Sequence, residues 1–143
     1  MDDVQDARLI GLFTKLTKRM RAVGTGLLDP YGVRLGQNLM LAQLWRTDGL
    51  TPGEAAAKLG ITGPTAVRMA QRMEDSGLVA RRRDEKDGRL VRIYLTERGR
   101  ELETPIERDF RANDARILAG FSGRERAQLA RYLERMLANL DTE

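Results

Sequence analysis

Apolar residues recur along this chain at two different periods, and the change of period divides it. Near the start, Leu9, Phe13, Leu16, Met20, Val23 and Leu27 alternate in steps of four and three, with Leu12 and Leu28 widening the stripe. That spacing predicts one long helix with a seam for another long helix. Its end is expected near Asp29-Pro30, because proline biases its predecessor away from helix. The seam packs either within the same chain or, as the length of the helix on so small a protein favours, against a second copy.

Beyond Tyr31-Gly32, the residues Leu35, Leu39, Met40, Leu41 and Leu44 predict a second helix that carries Trp45 and closes at Asp48-Gly49. Thr51-Pro52-Gly53-Glu54 then combines a capping threonine, proline at the first helical position and glutamate three residues after the cap, a capping box. Ala55, Ala56, Ala57 and Leu59 continue this third helix to a turn at Gly60. A fourth helix starts at Thr62-Gly63-Pro64, with either Thr62 or Gly63 as its cap, and stops at Ser76-Gly77. Its Ala66, Met69, Ala70 and Met73 share one face, while Thr65, Arg68 and Arg72 point the other way.

There the period shortens to two. Leu78 to Arg83 and Leu90 to Leu95 read as strands, the second alternating Val91, Ile93 and Leu95 against Arg92 and Tyr94. The polar loop Asp84-Glu85-Lys86-Asp87-Gly88-Arg89 joins them into a hairpin. Helical spacing returns at Thr96 with Leu102, Ile106, Phe110 and Ile117, where Pro105 is expected to start, break or kink a turn. After a break at Gly120-Phe121-Ser122, a second capping box, Ser122 to Glu125, opens a last helix with Leu129, Tyr132, Leu133, Met136, Leu137 and Leu140 on one face. The predicted fold class is mainly α (α+β): a winged helix-turn-helix lobe over 31–99, its wing at 78–95, between dimerisation helices at 1–30 and 100–143.

Composition narrows the chemistry. The net charge of +4 and a pI near 9.8 permit a polyanionic partner without requiring one. The absence of cysteine excludes disulfides, thiolate metal sites and thiol-based peroxide sensing. The absence of histidine removes the commonest general base and metal ligand, and serine occurs only at Ser76 and Ser122. The usual hydrolytic constellations therefore cannot be assembled, so a non-enzyme without metal or cofactor is expected. No apolar run approaches the roughly 20 residues needed to span a bilayer. The acidic start, Met1-Asp2-Asp3-Val4, lacks a hydrophobic secretion segment, so a cytoplasmic protein with no membrane partner is expected.

The order of short helix, glycine turn, cationic helix and basic hairpin points to double-stranded DNA as the partner. Small alanines in the third helix let the fourth cross it closely, and Ile61 fills the junction. The fourth helix can then present Thr62, Thr65, Arg68 and Arg72 to a major groove, where threonine and arginine reach phosphates or base edges. The competing reading is a solvated face on which Arg68 and Arg72 pair with Glu74 or Asp75. On the hairpin, Arg81, Arg83, Lys86 and Arg89 are the expected DNA contacts among six cations, partly offset by Asp84, Glu85 and Asp87. An arginine at a hairpin tip suits the narrow minor groove. Asp87, two residues before Arg89, is placed to orient that guanidinium.

Leu59-Gly60-Ile61 through Thr65 and Arg68, then Arg72-Met73-Glu74 and Gly77-Leu78-Val79, resemble the recognition region of MarR-family regulators. Asp87-Gly88-Arg89 followed by Leu95-Thr96-Glu97-Arg98-Gly99 is similar to that family's wing signature, Asp-x-Arg and then Leu-Thr-x-x-Gly. The resemblance implies a triangular homodimer whose two lobes face successive major grooves of a pseudopalindromic operator. It implies repression or activation adjusted by a small effector, often an aromatic acid or phenol, held between the dimer region and the lobe. Phe13, Tyr31, Arg34, Met40 and Trp45 are the candidate lining of such a cleft, with the ordinary core as the other reading. The chain departs from the family pattern at Gly63, Pro64 and Val67, where hydroxyl residues are common, so its base preference is expected to differ. A winged-helix protein–protein adaptor without ligand response is the alternative function.

Overall fold

The computed structural model describes residues 3–141, and the chain divides into two compact units between Arg108 and Asp109. In the first unit, α1 spans Asp3–Leu28, where the proline-limited end was expected. Only Gly24 and Leu28, near its C-terminal end, are buried. Leu9, Leu12, Leu16 and Met20 remain between 44% and 54% exposed while Phe13, Val23 and Leu27 are half-buried, so the stripe is only partly covered.

A 3-10 turn at Asp29–Tyr31 leads through buried Val33 to α2, Gln37–Arg46. The helix starts later than the apolar pattern suggested, leaving Leu35 outside it. Side chains fix that start: Gln37 Oε1 accepts from the Arg34 N–H and Asn38 Oδ1 from the Gly36 N–H. At the other end α2 stops at Arg46. Asp48, expected as part of its terminus, instead accepts from the N–H groups of Gly49 and Leu95, tying this turn to the hairpin.

Helix α3, Pro52–Leu59, carries the complete Thr51/Glu54 capping box. Gly60 ends it with φ of 65°, a left-handed conformation that glycine adopts without a Cβ penalty. Helix α4 spans Gly63–Asp75, and the open choice of its cap falls to Thr62, whose hydroxyl accepts from the Thr65 N–H. Ala66, Ala70 and Met73 form its buried face.

Strands β1, Val79–Arg83, and β2, Val91–Leu95, pair antiparallel from Val79↔Leu95 to Arg83↔Val91. Both are one residue shorter than the sequence suggested. Leu78 leaves the ladder because its N–H closes α4 on the Met73 carbonyl, while its own carbonyl accepts from Thr96. Leu50 adds a bridge on the free side of Ile93. Leu28, Met40, Leu41, Leu44, Met73, Leu78 and Ile93 fill one core beneath these elements, so α2, α3, α4 and the hairpin constitute a winged helix-turn-helix.

Thr96 caps the short α5, Glu97–Glu101, and α6 follows at Glu103–Ile117. Pro105 sits in the first turn of α6, where its missing N–H leaves no helical bond unmade, so it starts the helix rather than breaking it. The second unit contains the end of α6 and α7, Gly123–Asp141. The reciprocal Ser122 and Glu125 hydrogen bonds cap α7 as expected. Tyr132, Leu133, Leu137 and Leu140 on α7 are exposed.

Candidate nucleic-acid interface

The candidate interface is built around the start and outer face of α4. The Thr62 hydroxyl donates to Thr65 Oγ1 at 2.8 Å while accepting the Thr65 N–H at 3.3 Å. Both threonines are thus ordered at the positive end of the helix, with Thr62 exposed and Thr65 half-buried. Arg68 and Arg72 follow one turn apart and are exposed. Among the described residues, neither guanidinium enters an ion pair.

Glu74, which the competing reading paired with these arginines, is occupied elsewhere. Its carboxylate accepts the Arg81 N–H at 3.0 Å and the Arg81 guanidinium at 3.1 Å. Those two contacts, the backbone one first, hold the Glu74 carboxyl below its ordinary pKa. Arg81, expected at the DNA surface, therefore joins β1 to the end of α4. The sequence offered no signal for this pair, seven residues apart across a turn.

The wing loop is organised by its own aspartates. Asp84 accepts the Lys86 N–H at 2.8 Å, leaving the Lys86 side chain exposed. Asp87 Oδ1 accepts from the Arg89 N–H at 3.1 Å and Nε at 3.4 Å. The Arg89 side chain nevertheless stays 94% exposed. The contact directs the side chain without covering it. Arg83 donates to the Gly88 carbonyl across the loop at 2.9 Å. Arg82 stacks on Tyr94, 4.3 Å from the ring centre, a contact absent from the sequence reading.

The candidate effector residues are placed differently from one another. Met40 lies wholly within the lobe core. Trp45 is half-buried and donates its indole N–H to the Gly99 carbonyl at 2.9 Å. Phe13 and Tyr31 are half-buried, and the Tyr31 carbonyl accepts from Arg98. Arg34 is exposed and lines an open cleft of about 180 Å³ with Leu35, Gln37, Thr65, Arg68, Met69 and Arg72. Arg34 thus faces a space shared with the α4 cations.

Comparison with known proteins agrees with this architecture. The MarR family profile matches residues 31–90, the lobe without the last strand. The HTH-type transcriptional repressor Rv2887 of Mycobacterium tuberculosis is 31% identical over 131 residues, covering 92% of this chain and 94% of that protein. A MarR transcriptional regulator from Methanosarcina mazei superposes with a TM-score of 0.76 at 32% identity, covering 92% of this chain and 96% of the other. The Staphylococcus aureus MepR–DNA complex superposes with a TM-score of 0.79 at 26% identity, covering 91% and 94%.

Proposed function

This chain belongs to the MarR family of transcription regulators, and we propose that it acts as a homodimer on a pseudopalindromic operator, adjusted by a small anionic effector. The observation that carries the DNA contact is the free cationic face of α4, Thr62, Thr65, Arg68 and Arg72, beside a wing tip where Asp87 orients Arg89. Lys86 and Arg83 add positive charge near that tip. The likeness to a MarR-family protein solved with DNA supports the same partner for this chain.

The dimer reading rests on apolar surface that the single chain leaves uncovered. Leu9, Leu12, Leu16 and Met20 of α1 and the Tyr132, Leu133, Leu137 and Leu140 face of α7 are each exposed. A second copy burying them would gain about 25 cal/mol for each Å² of apolar area removed from water. The effector reading rests on Arg34, which offers a guanidinium to a carboxylate or phenolate at an open cleft beside the α4 cations. An effector there would compete with DNA for the same positive charge, which fits a repressor released by its ligand.

Arg89→Ala is expected to weaken operator binding by roughly 1–3 kcal/mol, the range for a good groove contact. Sedimentation should still find a dimer. Asp87→Ala should weaken binding too, although it removes a negative charge close to DNA, because Arg89 loses its orientation. Unchanged affinity in Arg89→Ala, or tighter binding in Asp87→Ala, would contradict the wing assignment. A wild-type chain that sediments as a monomer would contradict the dimer.

A further inference from the structure

Of the hairpin cations, Arg92 is turned furthest into the protein's own polar network. It lies on β2, paired with Arg82 in the ladder, and its side chain is 29% exposed against 94% for Arg89. Its Nε donates to Asp84 Oδ2 at 2.8 Å, and that carboxylate is only 16% exposed. Its Nη1 donates to the Gly49 carbonyl at 2.9 Å and lies 3.5 Å from Glu54 Oε1. One planar guanidinium therefore reaches three places: the wing loop, the turn before α3, and the capping glutamate of α3.

Each partner is already held by something else. Glu54 closes the capping box with the Thr51 N–H at 3.1 Å, so it is anchored to the start of the helix-turn-helix. Asp84 accepts the Lys86 N–H, and the Asp84 N–H donates to the Leu90 carbonyl at the far side of the loop. The Leu90 N–H returns to the Asp87 carbonyl, and Asp87 holds Arg89. The Lys86 N–H and the Arg92 guanidinium keep the Asp84 carboxyl below its ordinary pKa, consistent with a charged, fully used acceptor.

We propose that Arg92 is a positioning residue: it locks the wing loop to the N-terminal end of α3, so that Asp87 and Arg89 meet DNA at a fixed angle to α4. This rests on the reading of the chain as a DNA-binding regulator. A multidentate guanidinium suits the role because its fork satisfies three acceptors at fixed angles, which a lysine ammonium does not. The charges would otherwise mislead. Arg92 resembles one more phosphate contact, and Asp84 resembles a repulsive charge beside DNA.

The test uses Arg92→Gln and Asp84→Ala in the full chain, each also combined with Arg89→Ala. Amide hydrogen exchange of the free protein should speed up at Lys86 and Arg89 in both variants, while the α4 amides keep their wild-type rates. Affinity for a DNA fragment that the wild-type chain binds should fall about tenfold in each, the scale of one charge-assisted hydrogen bond. For Asp84→Ala this sign opposes simple charge repulsion, which would tighten binding. In the Arg89→Ala background neither substitution should lower affinity further, because the residue being positioned is gone. Tighter or unchanged binding by Asp84→Ala overturns the proposal. So does a loss in Arg92→Gln that persists undiminished without Arg89, the mark of a direct phosphate contact. Should the wild-type chain bind no DNA, the regulator reading fails by itself, and unaltered exchange in Arg92→Gln would separately show that Arg92 does not fix the wing.

Discussion

Replacing Arg68 and Arg72 together by alanine should abolish specific operator binding while leaving the fold intact. Both are exposed on α4, and no ion pair ties either guanidinium to the protein. Truncation therefore leaves no buried charge without its partner, and the melting temperature should stay within a few degrees of wild type. Each arginine contact at a groove is worth roughly 1–3 kcal/mol, and a dimer would lose four of them. Even the low end sums to about 4 kcal/mol, a thousandfold loss of affinity. Fluorescence anisotropy on labelled operator reads the affinity, and circular dichroism reads the fold. A doubly substituted protein that melts normally and still binds within tenfold of wild type would place the DNA contact elsewhere.

The second large effect concerns stability. Gly99→Ala should destabilise the lobe by about 3 kcal/mol, the upper range for forcing extra volume into a packed site. A Cβ at this position would lie 2.2 Å from the Leu78 carbonyl oxygen and 3.2 Å from a Leu95 methyl. The obstacle is backbone, and it is not free to retreat, since the Leu78 carbonyl also accepts the Thr96 N–H. Gly99 is held on its other sides as well: its N–H donates to Thr96 Oγ1 and its carbonyl accepts the Trp45 indole. Thermal unfolding should show a midpoint roughly 10 °C lower, and Trp45 emission should report the lost indole hydrogen bond. Gly53→Ala is the control, since a Cβ there meets only Thr51 Oγ1 at 4.0 Å. A Gly99→Ala chain that melts with wild type would mean that α5 does not pack as described.

These cases indicate which features were legible from residues alone. The helix boundaries with chemical punctuation were readable: the capping boxes at Thr51 and Ser122, the turn at Gly60 and the stop before Pro30. Local rules decide such positions, because each partner lies within four residues. The period-two segments were readable for the same reason, to within one residue. Side-chain partners across the fold were not. The competing reading had Glu74 neutralise the recognition helix, but it binds Arg81, and Asp48 was expected to end a helix but caps the end of β2. Arg92 showed nothing in sequence to separate it from its basic neighbours, although it differs from Arg89 in exposure and in partners. The glycine of Leu-Thr-x-x-Gly stands out in sequence only as part of a motif, and its physical reason lies in the Leu78 backbone packed against it. Charge pattern marked a candidate face; tertiary contacts decided which charges are free.

If the free cations of α4 and the wing read DNA, binding must depend on both sequence and salt. The decisive measurement is a titration of the chain against labelled DNA flanking its own gene, repeated across a series of salt concentrations. Saturable binding by two protomers per site is expected, much tighter than to scrambled DNA. The logarithm of affinity should fall linearly with the logarithm of salt as phosphate counterions are released. Failure to bind any fragment, or binding that ignores both sequence and salt, would contradict DNA reading by these cations and leave the winged helix as a protein-docking adaptor.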